Sequence, residues 1–324
     1  MDYYKITVLV VCGVMLIVFG WLALRTTKVS ARALRETARR AGLAITPEVE
    51  PVLVARIRAR TRSILIGTVI ALIVAAAVLL TLPVTADGAA SAPLLLVVLT
   101  GLGAALGAAV AESRSALVSL GNRPRLARTP TPTRADYLST VDRWCGPALL
   151  GFSGVALVGM AVVILANPDA AFAGADLGAL WWPGAAIWLI ALTSAVTGRI
   201  LTMRVLQTGQ PARDDIELAW SDALRSLTLR AFAQAPAVGA VCSVITVLQT
   251  MSAASADAQG AGRIISLAAS VALLVFALAL VWLALWLAFA NPIPHYLTRL
   301  WPAVAAQLRA SAQAVTASPD QARP

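Results

Sequence analysis

The chain of 324 residues holds one histidine, His295, and three cysteines, Cys12, Cys145 and Cys242. A lone histidine excludes most imidazole-based catalysis and any metal centre that needs two or more imidazoles. The cysteines are scattered and odd in number, with no metal-ligand spacing. They read as small apolar fillers. Catalytic signatures are missing as well: there is no P-loop, no GxSxG, no HExxH and no CxxC. Charge is scarce. Only 13% of residues are charged, against about 25% in a soluble domain. The formal net charge of +10 does not point to nucleic acid, because the arginines are spread over four separate segments.

What is plentiful is apolar sequence, 59% of the chain. Seven runs of about 18 or more residues are almost without charge, long enough to cross a hydrocarbon core of roughly 30 Å as helices. They are 6–24, 64–82, 93–111, 148–166, 179–197, 236–254 and 264–290. The alternating short segments of a transmembrane β-barrel are not seen. The expected class is therefore all-α, a polytopic membrane protein with seven spans. Basic residues set its orientation. Residues 25–63 hold ten Lys/Arg, 112–147 six, 198–235 five and 291–324 three, whereas the alternate segments hold Lys5, none, none and Arg263. By the positive-inside rule the N-terminus is outside and the C-terminus cytoplasmic. The first span reads as an anchor and not a cleaved signal, since Arg25 and Lys28 follow it. Arg56, Arg58, Arg60 and Arg62 precede the second span and are expected to contact anionic lipid headgroups.

The spans recur at a near-constant interval. The odd ones start about 85 to 87 residues apart and the even ones about 84 to 88 apart, the mark of a duplicated unit. Helix-start signals recur with them: Thr46-Pro47-Glu48, then Thr131-Pro132 with Thr133 and Asp136, then Asp214-Asp215-Ile216-Glu217. Gly121–Arg125 resembles Gly209–Arg213, and Asp136 and Leu138 align with Asp222 and Leu224. The expected unit is a span, a cytoplasmic amphipathic helix and a second span, in parallel copies at about 1–92, 93–178 and 179–263. The seventh span, 264–290, begins a fourth copy. Residues 1–302 then form one transmembrane domain, and 303–324 a short cytoplasmic tail of helix and frayed end.

Asp214, Asp215, Glu217 and Asp222 form the densest acidic cluster. A cation or acid–base site is one reading. Helix start is the simpler one: Asp214 as N-cap and Glu217 at the third helical position make a capping box, and acids suit the positive end of the helix dipole. Ile216, Trp220, Ala223, Leu224 and Leu227 share a face, with Asp222 and Arg225 able to pair opposite. The segment 214–230 is expected to lie on the cytoplasmic surface with Trp220 at the interface. Asp214, Glu217, Trp220, Asp222 and Arg225 are then candidates for docking a partner.

The spans carry no Lys or Arg and no mid-membrane Asp or Glu, which argues against a proton- or sodium-coupled carrier. The last span lacks the lysine a retinal Schiff base needs. Glu112 and Asp142 sit at the cytoplasmic boundary, where any intramembrane chemistry would have to start; an enzyme is not expected. Small residues abound: Gly67, Ala71 and Ala75 in the second span, Gly103 and Gly107 as GxxxG in the third, and Gly184, Ala191 and Ala195 in the fifth. They mark helix-packing or homodimer faces. Ser153, Thr193, Ser194, Ser243, Thr246 and Ser270 are expected to bond between helices, lining a narrow polar path being the other reading. Trp21, Trp144, Trp181, Trp182 and Trp286 suit an aromatic belt, and His295 reads as an interfacial residue.

The stretches RPRLARTPTPTRADY and ELAWSDALR, set between Ala/Leu/Val-rich spans, resemble a group of uncharacterised multi-pass membrane proteins of high-GC actinobacteria. The resemblance implies a bacterial plasma (inner) membrane and no particular reaction. The threefold plan is also similar to that of mitochondrial carriers, but their Pro-x-Asp/Glu-x-x-Lys/Arg signature and charged cavity are missing. Two functions remain. One is the membrane subunit of a transport system for an apolar or lipid-like substrate, served by a cytoplasmic ATPase. The other is a non-transporting scaffold or regulator that binds another membrane protein. Neither requires a cofactor or a metal. Membrane lipids are the remaining expected partner.

Overall fold

The computed structural model describes residues 3–25, 31–47, 50–81, 92–118, 132–166, 177–207, 215–255, 260–289 and 294–317. Among them the chain is all-helical. The helices are α1 (Tyr3–Arg25), α2 (Ala31–Ala41), α3 (Glu50–Thr81), α4 (Ala92–Val118), α5 (Arg134–Tyr137), α6 (Thr140–Ala166), α7 (Leu177–Gln207), α8 (Asp215–Ala254), α9 (Ala261–Phe289), α10 (His295–Leu300) and α11 (Pro302–Ala317). Four contain a segment long and apolar enough to cross a membrane: Glu50–Ala77, Thr140–Ala166, Leu180–Gln207 and Asp215–Ser252. Shorter apolar segments, Val10–Leu22, Val98–Ala111 and Gly262–Phe276, lie where the first, third and seventh spans are expected.

The segment 214–230 is not a separate surface helix. It is the first half of α8, which runs on through Pro236 for 40 residues. Pro236 removes one intrahelical hydrogen bond, and neighbours on both sides hold the helix together there: Gly198 lies beside the Phe232 carbonyl, and Gly146 beside that of Ala233. Likewise α3 joins the arginine-rich stretch and the second span into one helix. The stretch before α6 behaves differently. There the helix breaks at Leu138, whose backbone is extended. Two short-range caps flank the break. The Thr133 N–H and hydroxyl each donate to Asp136 at 2.7 Å, and the Asp142 N–H donates to Ser139 Oγ at 3.1 Å. The capping box of Asp214 lies outside the described residues.

Packing differs along the chain too. The span helices α1 and α3 pack together, as do α7 and α8, but α4 and α6 do not form such a pair; α4 packs on α3 and α8 instead. Helix α8 is central and touches α4, α5, α6, α7, α9 and α10. At one end of the bundle its first half joins a cap. A single apolar core there draws Leu34 from α2, Leu53 and Ile57 from α3, Ala105 and Ala109 from α4, Tyr137 and Leu138, Val205 from α7, Trp220 to Ala233 from α8, Tyr296 and Leu297 from α10 and Ala305 from α11. Gly42 closes α2 with positive φ; the Leu43 N–H reaches back to the Ala38 carbonyl at 3.2 Å, a Schellman ending that only glycine adopts without strain.

Candidate functional site

The cap is organised around a buried carboxylate. Asp222 has no exposed surface. A charge there is tolerable only with hydrogen-bond donors around it. The Tyr137 hydroxyl donates to its Oδ1 at 2.8 Å and Trp301 Nε1 donates to its Oδ2 at 3.0 Å. Arg225, 4% exposed, reaches the same Tyr137 hydroxyl. Trp220, 2% exposed, donates through Nε1 to the Ala44 carbonyl at 3.3 Å, and the Tyr296 hydroxyl donates to the Ala41 carbonyl at 2.6 Å. Burial, then the Asp222 charge, pushes the phenols of Tyr137 and Tyr296 above the ordinary range.

These contacts overturn the outward-facing reading of this segment. Trp220, Asp222 and Arg225 point into the cap, because α5, α10 and the 41–44 turn cover the face that the local pattern leaves open. Asp215 and Ile216 remain exposed at the start of α8, Glu217 is half-buried, and Asp214 lies outside the described residues.

A second polar link ties α6 to α8. Arg230 donates to both oxygens of Asp142, at 3.3 and 3.2 Å, and the Ser139 hydroxyl donates to the same carboxylate at 2.8 Å. Asp136 faces Arg299 of α10 at 4.0 Å. Burial alone would raise the Asp136 carboxyl, but the Thr133 hydrogen bonds, Arg299 and His295 outweigh it and hold the carboxyl below its ordinary value. His295 Nε2 lies 3.0 Å from the Ala135 carbonyl. Among the described residues, no three His, Cys, Asp or Glu side chains gather closely enough to hold a metal ion.

The small-residue face is used inside the molecule. A Cβ added to Gly67 would strike the Gly103 carbonyl, one added to Gly103 would strike the Gly67 carbonyl, and one added to Gly107 would strike that of Ser63. Helices α3 and α4 thus meet backbone on backbone, as small-xxx-small patterns permit. Ala71 borders Gly103, and Ala75 is buried with Cys12, Leu72 and Leu96. Helices α7 and α8 approach in the same way, Gly184 against Val247 and Gly239 against Ala191.

The in-span hydroxyls do not act as expected. Ser153, Thr193, Ser194, Ser243 and Thr246 bond carbonyls of their own helix, a partner every helix supplies three or four residues back. Ser270 alone of the six crosses, pairing with Ser252 at 2.8 Å. Other crossings come from Thr250 of α8, whose hydroxyl donates to the Leu180 carbonyl of α7 at 2.8 Å, from Ser266 of α9, which donates to the Ser252 carbonyl at 3.3 Å, and from two tryptophans. Trp181 and Trp188 of α7 donate to the Leu157 and Leu150 carbonyls of α6, each at 3.0 Å.

Beside this packing lies a groove of about 280 Å³ between α3, α4 and α8. Its walls are apolar and small, among them Ile64, Val98, Gly101, Ala104 and Ala108, with Gln234 on the α8 side. Arg60 stands at one end and donates to the Leu224 carbonyl at 3.3 Å. Of the four arginines on this helix, Arg58 and Arg62 are exposed and Arg56 is half-buried. Comparison with protein-family models, curated proteins and solved structures yields no match for this chain.

Sequence reasoning missed Tyr137, Trp301 and the groove end at Arg60. The signal for Tyr137 was faint. It stands between Asp136 and Leu138, the pair that aligns in sequence with Asp222 and Leu224, and its hydroxyl is the donor that Asp222 needs.

Proposed function

We propose that the chain is a seven-span protein of a bacterial plasma membrane, N-terminus outside, and that it acts as the membrane subunit of a transport system for an apolar or lipid-like substrate. The observation that supports this is the lateral groove between α3, α4 and α8. It is narrow, uncharged along its length and close to the roughly 300 Å³ at which ligand pockets begin. Its lining of glycine and alanine leaves room for a chain-like ligand, while Arg60 offers one polar anchor. No catalytic residue, cofactor or metal enters this reading. The scaffold alternative rested on small-residue faces, and those of α3 and α4 are filled from within the chain. An ATPase partner would meet the exposed start of α8, at Asp215 and Ile216.

A diazirine-bearing acyl probe tests the groove in purified, reconstituted protein. Labelling is expected to concentrate on residues 98–108 and 231–238 and to fall in Gly101→Phe, where the new ring enters the groove. Labelling spread evenly over outward positions such as Leu267, Val271 and Leu274 of α9, unchanged by Gly101→Phe, would sink the proposal.

A further inference from the structure

The register between α6 and α7 is set by its two tryptophan hydrogen bonds. Trp181 meets Leu157 and Trp188 meets Leu150, so seven residues forward on α7 match seven back on α6. Eleven residues beyond Trp188 is Arg199, and eleven before Leu150 is Ser139, at the break between α5 and α6. Arg134 precedes that break and Arg143 follows it. Three guanidiniums from three helices therefore gather at one corner. Their mutual effect is visible: burial first, then the charges of Arg199 and Arg143, hold Arg134 below its ordinary value.

This corner has cations to spare. Arg134 Nε and Arg143 Nε are buried without a hydrogen-bond partner among the described residues. Arg143 Nη2 donates to the Thr140 hydroxyl at 3.1 Å. The two nearby acids are occupied, Asp142 by Arg230 and Ser139, Asp136 by Thr133 and Arg299. Half-buried Arg134 and Arg143 beside the exposed Arg199, with no counter-ion among the described residues, are costly, and guanidinium forks fit phosphate oxygens especially well. Trp144, next to Arg143 and 66% exposed, has the placement of an interfacial aromatic. Phe152 and Val155 further along α6 are also exposed, which puts the corner beside a lipid-facing surface.

We propose that Arg134, Arg143 and Arg199 form an anion site for a phosphate group, presented as the headgroup of an anionic phospholipid. The site shares no lining residue with the α3/α4/α8 groove and does not depend on what fills that groove. Phosphate oxygens bridging the three guanidiniums would satisfy the buried Nε groups and cancel the repulsion between α5, α6 and α7.

The test uses the full chain in nanodiscs of phosphatidylcholine, of phosphatidylcholine with phosphatidylglycerol, and of phosphatidylcholine with inorganic phosphate in the buffer. The readouts are the thermal midpoint and lipid retained in native mass spectrometry. Phosphatidylglycerol is expected to raise the midpoint of the wild type, and inorganic phosphate is not. Arg199→Gln is exposed and easily tolerated; it is expected to match or exceed the wild type in phosphatidylcholine, where repulsion is relieved, and to lose most of the phosphatidylglycerol gain. Arg134→Gln should do the same. Each removal should weaken phosphatidylglycerol retention about fivefold. Arg263→Gln, beyond the opposite end of the spans, should keep the full gain. An equal gain from inorganic phosphate would retain the anion site and name free phosphate as its source. Equal phosphatidylglycerol gains in wild type and both variants, or a midpoint loss of the same size in every disc, would overturn the proposal.

Discussion

The span interior and the cap are parts of one bundle held together by opposite means. In the interior, helices approach until backbones touch, as at Gly67 and Gly103, and most of the described hydroxyl groups turn back on their own helices, with Thr250 and the Ser252–Ser270 pair crossing between them. Shape does the fastening there, because lipid tails remove the hydrophobic advantage of helix association. In the cap, polar groups distant in sequence converge on Asp222 and the turn at residues 41–44. A buried carboxylate is costly until every donor is in place, so the cap forms as a unit. The interior should therefore be sensitive to added volume, and the cap to lost partners.

The sharpest break of this comparison is Asp222→Ala. It takes the carboxylate acceptor from the buried Tyr137 hydroxyl and from the half-buried Trp301 N–H, at a cost of about 3 kcal/mol or more. Thermal unfolding should show that loss, and limited proteolysis should show residues 294–317 becoming cleavable. A variant as stable as wild type would show that the cap does not depend on its carboxylate. Next in size is Gly103→Ala, whose methyl group meets the Gly67 carbonyl and should cost about 1–3 kcal/mol. Gly101 faces open space, so Gly101→Ala should change stability little or raise it by up to about 1 kcal/mol. Equal midpoints for the two alanine variants would refute backbone contact as the fastening.

The third prediction concerns pH. Tyr137 and Tyr296 hold their protons more tightly folded than unfolded. Their contribution is complete below the unfolded phenol value of about 10 and is lost as pH climbs from there toward the raised folded values. The midpoint should fall with alkali above that point, and Tyr137→Phe should flatten the fall. Smallest is Arg230→Gln. Arg230 is nearly half exposed, its side chain 45% accessible, so screening limits the pair with Asp142 to about 0.2–1 kcal/mol. The difference from wild type should shrink further in high salt.

The four helices long and apolar enough to cross a membrane could be read from sequence because their signal is local. A run such as 148–166 is apolar whatever surrounds it, and α6 covers it. The cap was hidden for the opposite reason. Trp220, Asp222 and Arg225 look like one amphipathic helix turned to water. What covers them comes from Tyr137, 85 residues earlier, and Trp301, 79 residues later. No window of helical length contains both. The hydroxyl pairings were misjudged because periodicity shows which residues share a face, not whether a carbonyl of the same helix will take the proton first.

Helix α8 connects the two halves. At about 1.5 Å per residue, its 40 residues make a rod longer than a membrane core is thick. One end is clamped by the cap around Asp222, and the stretch Ala231–Val238 walls the groove. A rod held in this way turns as a lever. Any load that tilts the cap must swing the groove wall with it or bend the helix at Pro236, where the ladder already lacks a rung. The groove wall and the cap thus share one helix, and only a bend at Pro236 could let one shift without the other.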